Sequence, residues 1–105
     1  MVYELRIYYM HPGKMKNILD RFENVTMALF ERHGIKVTDF WVSAQGDEIL
    51  YYVCEFESAE EKAQKWSTFK DDPEWAAAKA KSEESGPIVS KVESILMENA
   101  PFFKK

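Results

Sequence analysis

The pattern of apolar and polar positions changes period along the chain, and those changes mark the elements. Residues 2–9 are rich in Tyr, Val and Ile, with Leu5 and Ile7 alternating against Glu4 and Arg6, which predicts a strand. His11-Pro12-Gly13 stops it as a turn. From Lys14 to about His33 the spacing becomes three and four: Met15, Ile18, Leu19, Phe22, Val25, Thr26, Leu29 and Phe30 form one helical stripe. Lys16, Asp20, Arg21, Asn24 and Glu31 are placed on the solvent side, and Gly34 terminates the helix. Lys36 to Ala44 and Glu48 to Phe56 read as antiparallel strands joined by a hairpin at Gln45-Gly46-Asp47.

Ser58-Ala59-Glu60-Glu61 is a capping box. The Ser58 hydroxyl accepts from the Glu61 N–H, and the Glu61 carboxylate reaches back to the Ser58 N–H. The helix behind it runs to about Lys70 and turns Ala59, Ala63, Trp66 and Phe69 inward. Asp72 and Pro73 then supply an N-cap and first helical residue for a segment over about 73–84. A last strand spans Val89 to Met97, and Pro101-Phe102-Phe103 forms an aromatic tail. The order β-α-β-β-α-β is the ferredoxin-like split pattern, an α+β fold with both helices on one face of a four-stranded antiparallel sheet. No repeat or linker divides the 105 residues, so one domain over 1–105 is expected.

Alternation divides the strand residues between two faces. Leu5, Ile7, Phe40, Val42, Leu50, Tyr52, Cys54, Phe56, Val92 and Leu96 are assigned to the helix side. Glu4, Arg6, Tyr8, Asp39, Trp41, Tyr51, Val53, Glu55, Lys91, Glu93, Ile95 and Met97 go to the open side. An open face carrying Trp41, Tyr51, Val53, Ile95 and Met97 is too apolar to stand uncovered, and a second copy is the simplest cover. Two sheets face to face would close a dimeric α+β barrel. Its interior charges need partners, so Arg6 is expected to pair with Glu4, Glu55 or Glu93.

Composition sharpens this picture. Aromatic residues make up 14% of the chain, more than a core of this size readily houses. The net charge of −4 argues against nucleic acid and polybasic membrane partners. Cys54 is the only cysteine, which excludes an intrachain disulfide. With no secretory signal pattern and no apolar run of the ~20 residues that a spanning helix needs, a cytoplasmic protein without a membrane span is expected.

Motifs for phosphate loops, nucleophile elbows and zinc are absent from the sequence. No metal site and no cofactor is expected. His11 reads as a solvated turn residue, and His33 as a cation favoured by the C-terminus of its helix. Lys62, Lys65, Lys70, Lys79 and Lys81 read as a solvated helical face. The constellation best able to hold a small molecule is Arg6, Tyr8, Trp41, Tyr51 and Glu55: aromatic walls with a few converging polar groups. The competing reading makes these five the core of a dimer.

The chain resembles the NIPSNAP family. The resemblance rests on Tyr3-Glu4-Leu5-Arg6-Ile7-Tyr8, Pro12-Gly13-Lys14, Phe30-Glu31-Arg32-His33-Gly34, Phe40-Trp41, Phe56-Glu57-Ser58, Trp66 and Asp72-Pro73-Glu74-Trp75. The Ile95-Leu96-Met97 segment and Pro101 also fit. Asp39 departs from the glycine usual before the Phe-Trp pair, and Phe102-Phe103 from the usual polar ending. The resemblance implies a ferredoxin-like domain of the dimeric α+β barrel superfamily, and it carries over no catalytic set. Three functions stay open: a homodimeric domain binding a small apolar or aromatic ligand in the barrel, a cofactor-independent monooxygenase on aromatic substrates, and a structural self-association module. In the second, Trp41 and Tyr51 would stack the substrate while Arg6 stabilises an oxyanion.

Overall fold

The computed structural model describes residues 1–103. Strands β1 (Val2–Met10), β2 (Lys36–Val42), β3 (Ile49–Phe56) and β4 (Val89–Met97) form one antiparallel sheet in the order β2-β3-β1-β4. The first helical stretch is α1 (Met15–Arg21), a π turn over Phe22–Thr26 and α2 (Met27–Arg32), without a break between them. The second is α3 (Ala59–Lys70) followed by α4 (Pro73–Ser82). The fold is the expected ferredoxin-like α+β arrangement.

Local chemistry accounts for the boundaries. Gly34 ends α2 at φ +71° and Gly46 turns the hairpin at φ +84°, conformations that a Cβ disfavours. Ser58 Oγ accepts from Glu61 N at 3.1 Å, as the capping box requires. The Glu61 carboxylate accepts from the N–H of Glu57 at 3.2 Å rather than that of Ser58, so the box closes one residue early. Asp72 accepts from Glu74 N at 2.8 Å with Pro73 at the first helical position. Its carboxylate also lies 2.7 Å from His33 Nε2, which ties the end of α2 to the start of α4.

The core packs Ile18, Phe22, Leu29 and Phe30 onto Leu50, Tyr52, Cys54 and Phe56. Phe40 stacks on Tyr52 with ring centres 5.2 Å apart. Two assignments on the helices are corrected. Ala59 and Ala63 are exposed, and α3 instead turns Lys62, Trp66 and Phe69 toward the sheet. Arg21 is buried whereas Leu19 is exposed. A π turn takes in about one residue more than an α turn, which shifts the inward stripe along the chain.

The faces of β2, β3 and β4 are as the alternation predicts, but β1 is reversed. Directly opposed residues share a face. Glu4 stands opposite Cys54 and Leu96, and Arg6 opposite Tyr52 and Ser94. Glu4, Arg6 and Tyr8 therefore lie beneath the helices, and Leu5 and Ile7 face outward with Val53, Tyr51, Ile95 and Glu93. The cause is a polar network that only the helix side supplies. Glu4, 1% exposed, accepts from Trp66 Nε1 at 2.6 Å, from Arg6 Nη1 at 3.0 Å and from Ser94 Oγ. Lys62 Nζ stands 4.0 Å away. A charge buried with this set of donors is stable; turned outward, it would leave Trp66 and Ser94 without an acceptor.

Two consequences are measurable. Burial pushes the Cys54 thiol up to about 12, and the Glu4 carboxylate adds to the shift. At about pH 8 a thiol-exchange reagent should leave native Cys54 unmodified and react fully once urea unfolds the chain. For Glu4, burial raises the carboxyl, but the Ser94 and Trp66 hydrogen bonds and the Arg6 charge together hold it below its ordinary 4.5. A carboxyl depressed in the folded state stabilises above its unfolded pKa, and that contribution is lost as pH falls through the folded value. Glu4→Gln should therefore cost about 2–3 kcal/mol near neutrality, less than a fully buried pair because part of Arg6 meets solvent. It should also flatten the decline in urea stability below about pH 4.5. An unchanged acid limb would contradict the assignment.

Candidate functional site

β1 carries the floor of the site. Arg6 Nε donates to Tyr52 Oη at 2.8 Å, Nη1 to Glu4, and Nη2 to Tyr8 Oη at 3.3 Å. The two phenol oxygens lie 2.9 Å apart. The guanidinium is stacked 4.5 Å from the Trp66 ring centre. Burial works against the Arg6 charge, but the Tyr52 and Tyr8 oxygens and Glu4 outweigh it and keep its proton held more tightly than usual. Burial, reinforced by Tyr8, likewise raises Tyr52, which stays a protonated phenol. The floor is thus a fixed cation whose three nitrogens are engaged by Tyr52, Glu4 and Tyr8.

Above this floor, α3 and α4 stand off from the β1–β4 half of the sheet and leave a cavity of about 470 Å³. Phe22, Phe30, Trp66, Phe69 and Trp75 wall it. The aromatic packing is continuous: Phe30 to Phe69 at 5.0 Å, then Phe69 to Trp75 at 4.8 Å. Arg6 and Tyr8 line the floor, and Arg21 and Thr26 line the side formed by the π turn. Val92, at 45% exposure on edge strand β4, sits at the rim. Lys70 and Lys79, placed by sequence on a solvated face, lie on the same rim.

The five residues expected to form one pocket are divided by the sheet. Arg6 and Tyr8 belong to the cavity under the helices, while Trp41, Tyr51 and Glu55 lie on the open face. Arg6 pairs with Glu4, and Glu55 with Lys36 at 3.5 Å. A substrate stacked between Trp41 and Tyr51 could not reach Arg6 within one protomer. The cavity is built inside the protomer, not between two sheets. His11 and His33 are outside its lining. Among the described residues no group of three or more His, Cys, Asp or Glu side chains is placed to hold a metal ion.

Sequence reasoning missed Arg21, Tyr52, Trp66 and Trp75 as site residues. Tyr52 and Trp66 were read as plain core, which they also are. Arg21 carried a usable signal: it lies three residues after Ile18 and five before Thr26, the spacing that a π turn brings onto one side.

Comparison with known proteins places the chain. The NIPSNAP family model matches residues 3–104. No curated protein matches the sequence. An uncharacterised NIPSNAP domain protein from Burkholderia xenovorans superposes with a TM-score of 0.85 at 18% identity, covering 100% of both chains. A NIPSNAP family protein of unknown function from Agrobacterium tumefaciens gives 0.84 at 20% identity, over 98% of this chain and 91% of that one. A putative antibiotic biosynthesis monooxygenase from Nitrosomonas europaea gives 0.65 at 8% identity, over 94% and 98% of the two chains. The structural likenesses establish the fold, and the match over nearly the whole length establishes that the chain belongs to the NIPSNAP family.

Proposed function

We infer that residues 1–105 act as one NIPSNAP domain that pairs into a homodimer and binds a small aromatic or apolar molecule, in a reducing, cytoplasmic setting. The observation that carries the ligand reading is the 470 Å³ cavity, whose aromatic walls converge on a few polar groups. Pockets for small molecules are of this size and make-up, roughly 300–1,000 Å³. Aromatic side chains that line an open cleft beside converging polar groups favour a ligand over a purely structural module.

The homodimer rests on the opposite face. Leu5, Ile7, Tyr51 and Val53 lie there beside Trp41 at 50% exposure and Ile95 at 44%. The reversal of β1 makes this face more apolar than the sequence alone suggested, because Leu5 and Ile7 replace Glu4 and Arg6. Its remaining charges lie toward the edges: Lys36 pairs with Glu55 and Lys91 with Glu93, both at 3.5 Å, and Asp39 is exposed on edge strand β2. A twofold contact between two such faces covers the apolar centre and leaves the pairs at its margin.

Sedimentation velocity at micromolar concentration should give a species of twice the 12.3 kDa chain mass. Ile95→Asp should return it to the single-chain mass with unchanged circular dichroism. A wild-type species at the single-chain mass sinks the dimer. For the cavity, bicyclic aromatic probes should bind saturably and quench tryptophan fluorescence through Trp66 and Trp75. Val92→Trp, which crowds the rim from a half-exposed position, should weaken that binding at least about tenfold while the fold is kept. If no probe binds saturably, or if the rim variant binds as well as wild type, the cavity is not the site.

A further inference from the structure

The cavity is lined by two buried polar side chains whose hydrogen-bonding capacity the protein leaves partly unused. Arg21 is 7% exposed and Thr26 is 2% exposed, and both line the cavity. Arg21 Nη1 donates to Ser82 Oγ at 3.1 Å, and its guanidinium lies 5.1 Å from the Trp75 ring centre. Arg21 Nε has no hydrogen-bond partner, and neither has Thr26 Oγ1. Among the described residues no carboxylate is within ion-pair distance of Arg21. The nearest acidic group on the lining, Glu83, stands 3.5 Å from Lys79 Nζ and accepts from the Ile88 N–H at 3.4 Å.

A buried donor without an acceptor costs about 1–3 kcal/mol, and a buried cation without a counter-charge costs more. Arg6 shows how this chain treats such a group when it is part of the scaffold: Glu4, Tyr8 and Tyr52 take all three of its nitrogens. Arg21 is handled differently. Ser82 engages Nη1 and leaves the Nε–Nη2 edge toward no protein acceptor. That edge presents two parallel N–H groups, the geometry that grips a planar oxyanion in two hydrogen bonds. Burial weakens the hold of Arg21 on its proton, with Glu83, Tyr8 and Tyr52 opposing at longer range, as expected of a cation short of compensation. Of the lysines on the lining, Lys79 and Lys91 are ion-paired with Glu83 and Glu93, which leaves Lys70 to add positive potential at the rim. The π turn over Phe22–Thr26 connects the parts, with Arg21 directly before it and Thr26 at its end.

We propose that the ligand is an aromatic carboxylate, its ring held between Trp66, Phe69 and Trp75 and its carboxylate gripped by the free edge of Arg21 with Thr26 Oγ1 as a further donor. The proposal rests on the cavity being the ligand site, and the test separates the two. Naphthoate and its neutral isostere naphthamide are titrated into the full chain by calorimetry. Naphthoate should bind about tenfold tighter or more, the worth of a charge-assisted bidentate contact. Arg21→Gln should erase the difference while leaving naphthamide binding in place, and Thr26→Val should reduce it about threefold. In about 1 M salt, where screening acts within about 3 Å, a preference owed to the rim lysines would vanish and one owed to buried Arg21 would persist.

Equal binding of acid and amide to wild type overturns the carboxylate assignment and leaves the cavity reading standing. A preference that survives Arg21→Gln, or disappears in salt, overturns it as well. Failure of both probes removes the cavity reading and the assignment with it. If Arg21→Gln does not fold, the wild-type comparison with its salt series, together with Thr26→Val, decides the matter.

Discussion

The burial of Glu4 is the constraint on which the rest depends. A carboxylate placed beneath two helices is costly unless several donors converge on it. In this chain Trp66, Ser94 and Arg6 reach it from α3, β4 and β1 itself. Because side chains alternate along a strand, fixing Glu4 inward fixes every other residue of β1. Arg6 and Tyr8 follow it to the cavity floor, and Leu5 and Ile7 are forced onto the open face. One ionic contact thereby decides both what the cavity can bind and how apolar the opposite surface becomes.

Where signals are local, the sequence was legible. The cap residues Ser58 and Asp72, the terminator Gly34 and the change of period at Lys14 and Lys36 act within a few residues, and they located the elements of the fold. The faces of β2, β3 and β4 were legible for the same reason: one alternation of β3 is plainly apolar, and in β2 and β4 the charged residues Asp39, Lys91 and Glu93 fall on the other. β1 was not. Its two sets are Val2, Glu4, Arg6, Tyr8 against Tyr3, Leu5, Ile7, Tyr9, and a rule that sends charges outward picks the wrong one. The information that reverses it lies in Trp66, Ser94 and Tyr52, between 46 and 90 residues away. Arg21 was misplaced through a related cause: a straight helical wheel puts it on the solvent side, and the π turn does not.

The same reversal divides what looked like one constellation into two with separate work. Trp41, Tyr51 and Glu55 belong to the open face, where the large apolar surface calls for cover. Arg6 and Tyr8 belong to the cavity, where they meet aromatic walls from α3 and α4. The aromatic surplus of the composition is explained by both. Some of it fills the core, some carpets the open face, and Trp66 with Trp75 encloses a void.

Fold likeness does not transfer chemistry, and the lining of this cavity shows why the distinction matters. A superposition at 8% identity relates backbones, while reactions depend on the side chains mounted on them. The charged floor has a cation already compensated by Glu4 and a phenol that burial keeps protonated. The one carboxylate on the lining, Glu83, is engaged by Lys79 and by a backbone N–H, and both histidines lie elsewhere. The cavity is therefore rich in donors and poor in free bases. Such a site stabilises negative charge on what it holds, whether that charge arrives with the ligand or develops upon it. Lining groups of this kind favour the proposed recognition of an anion.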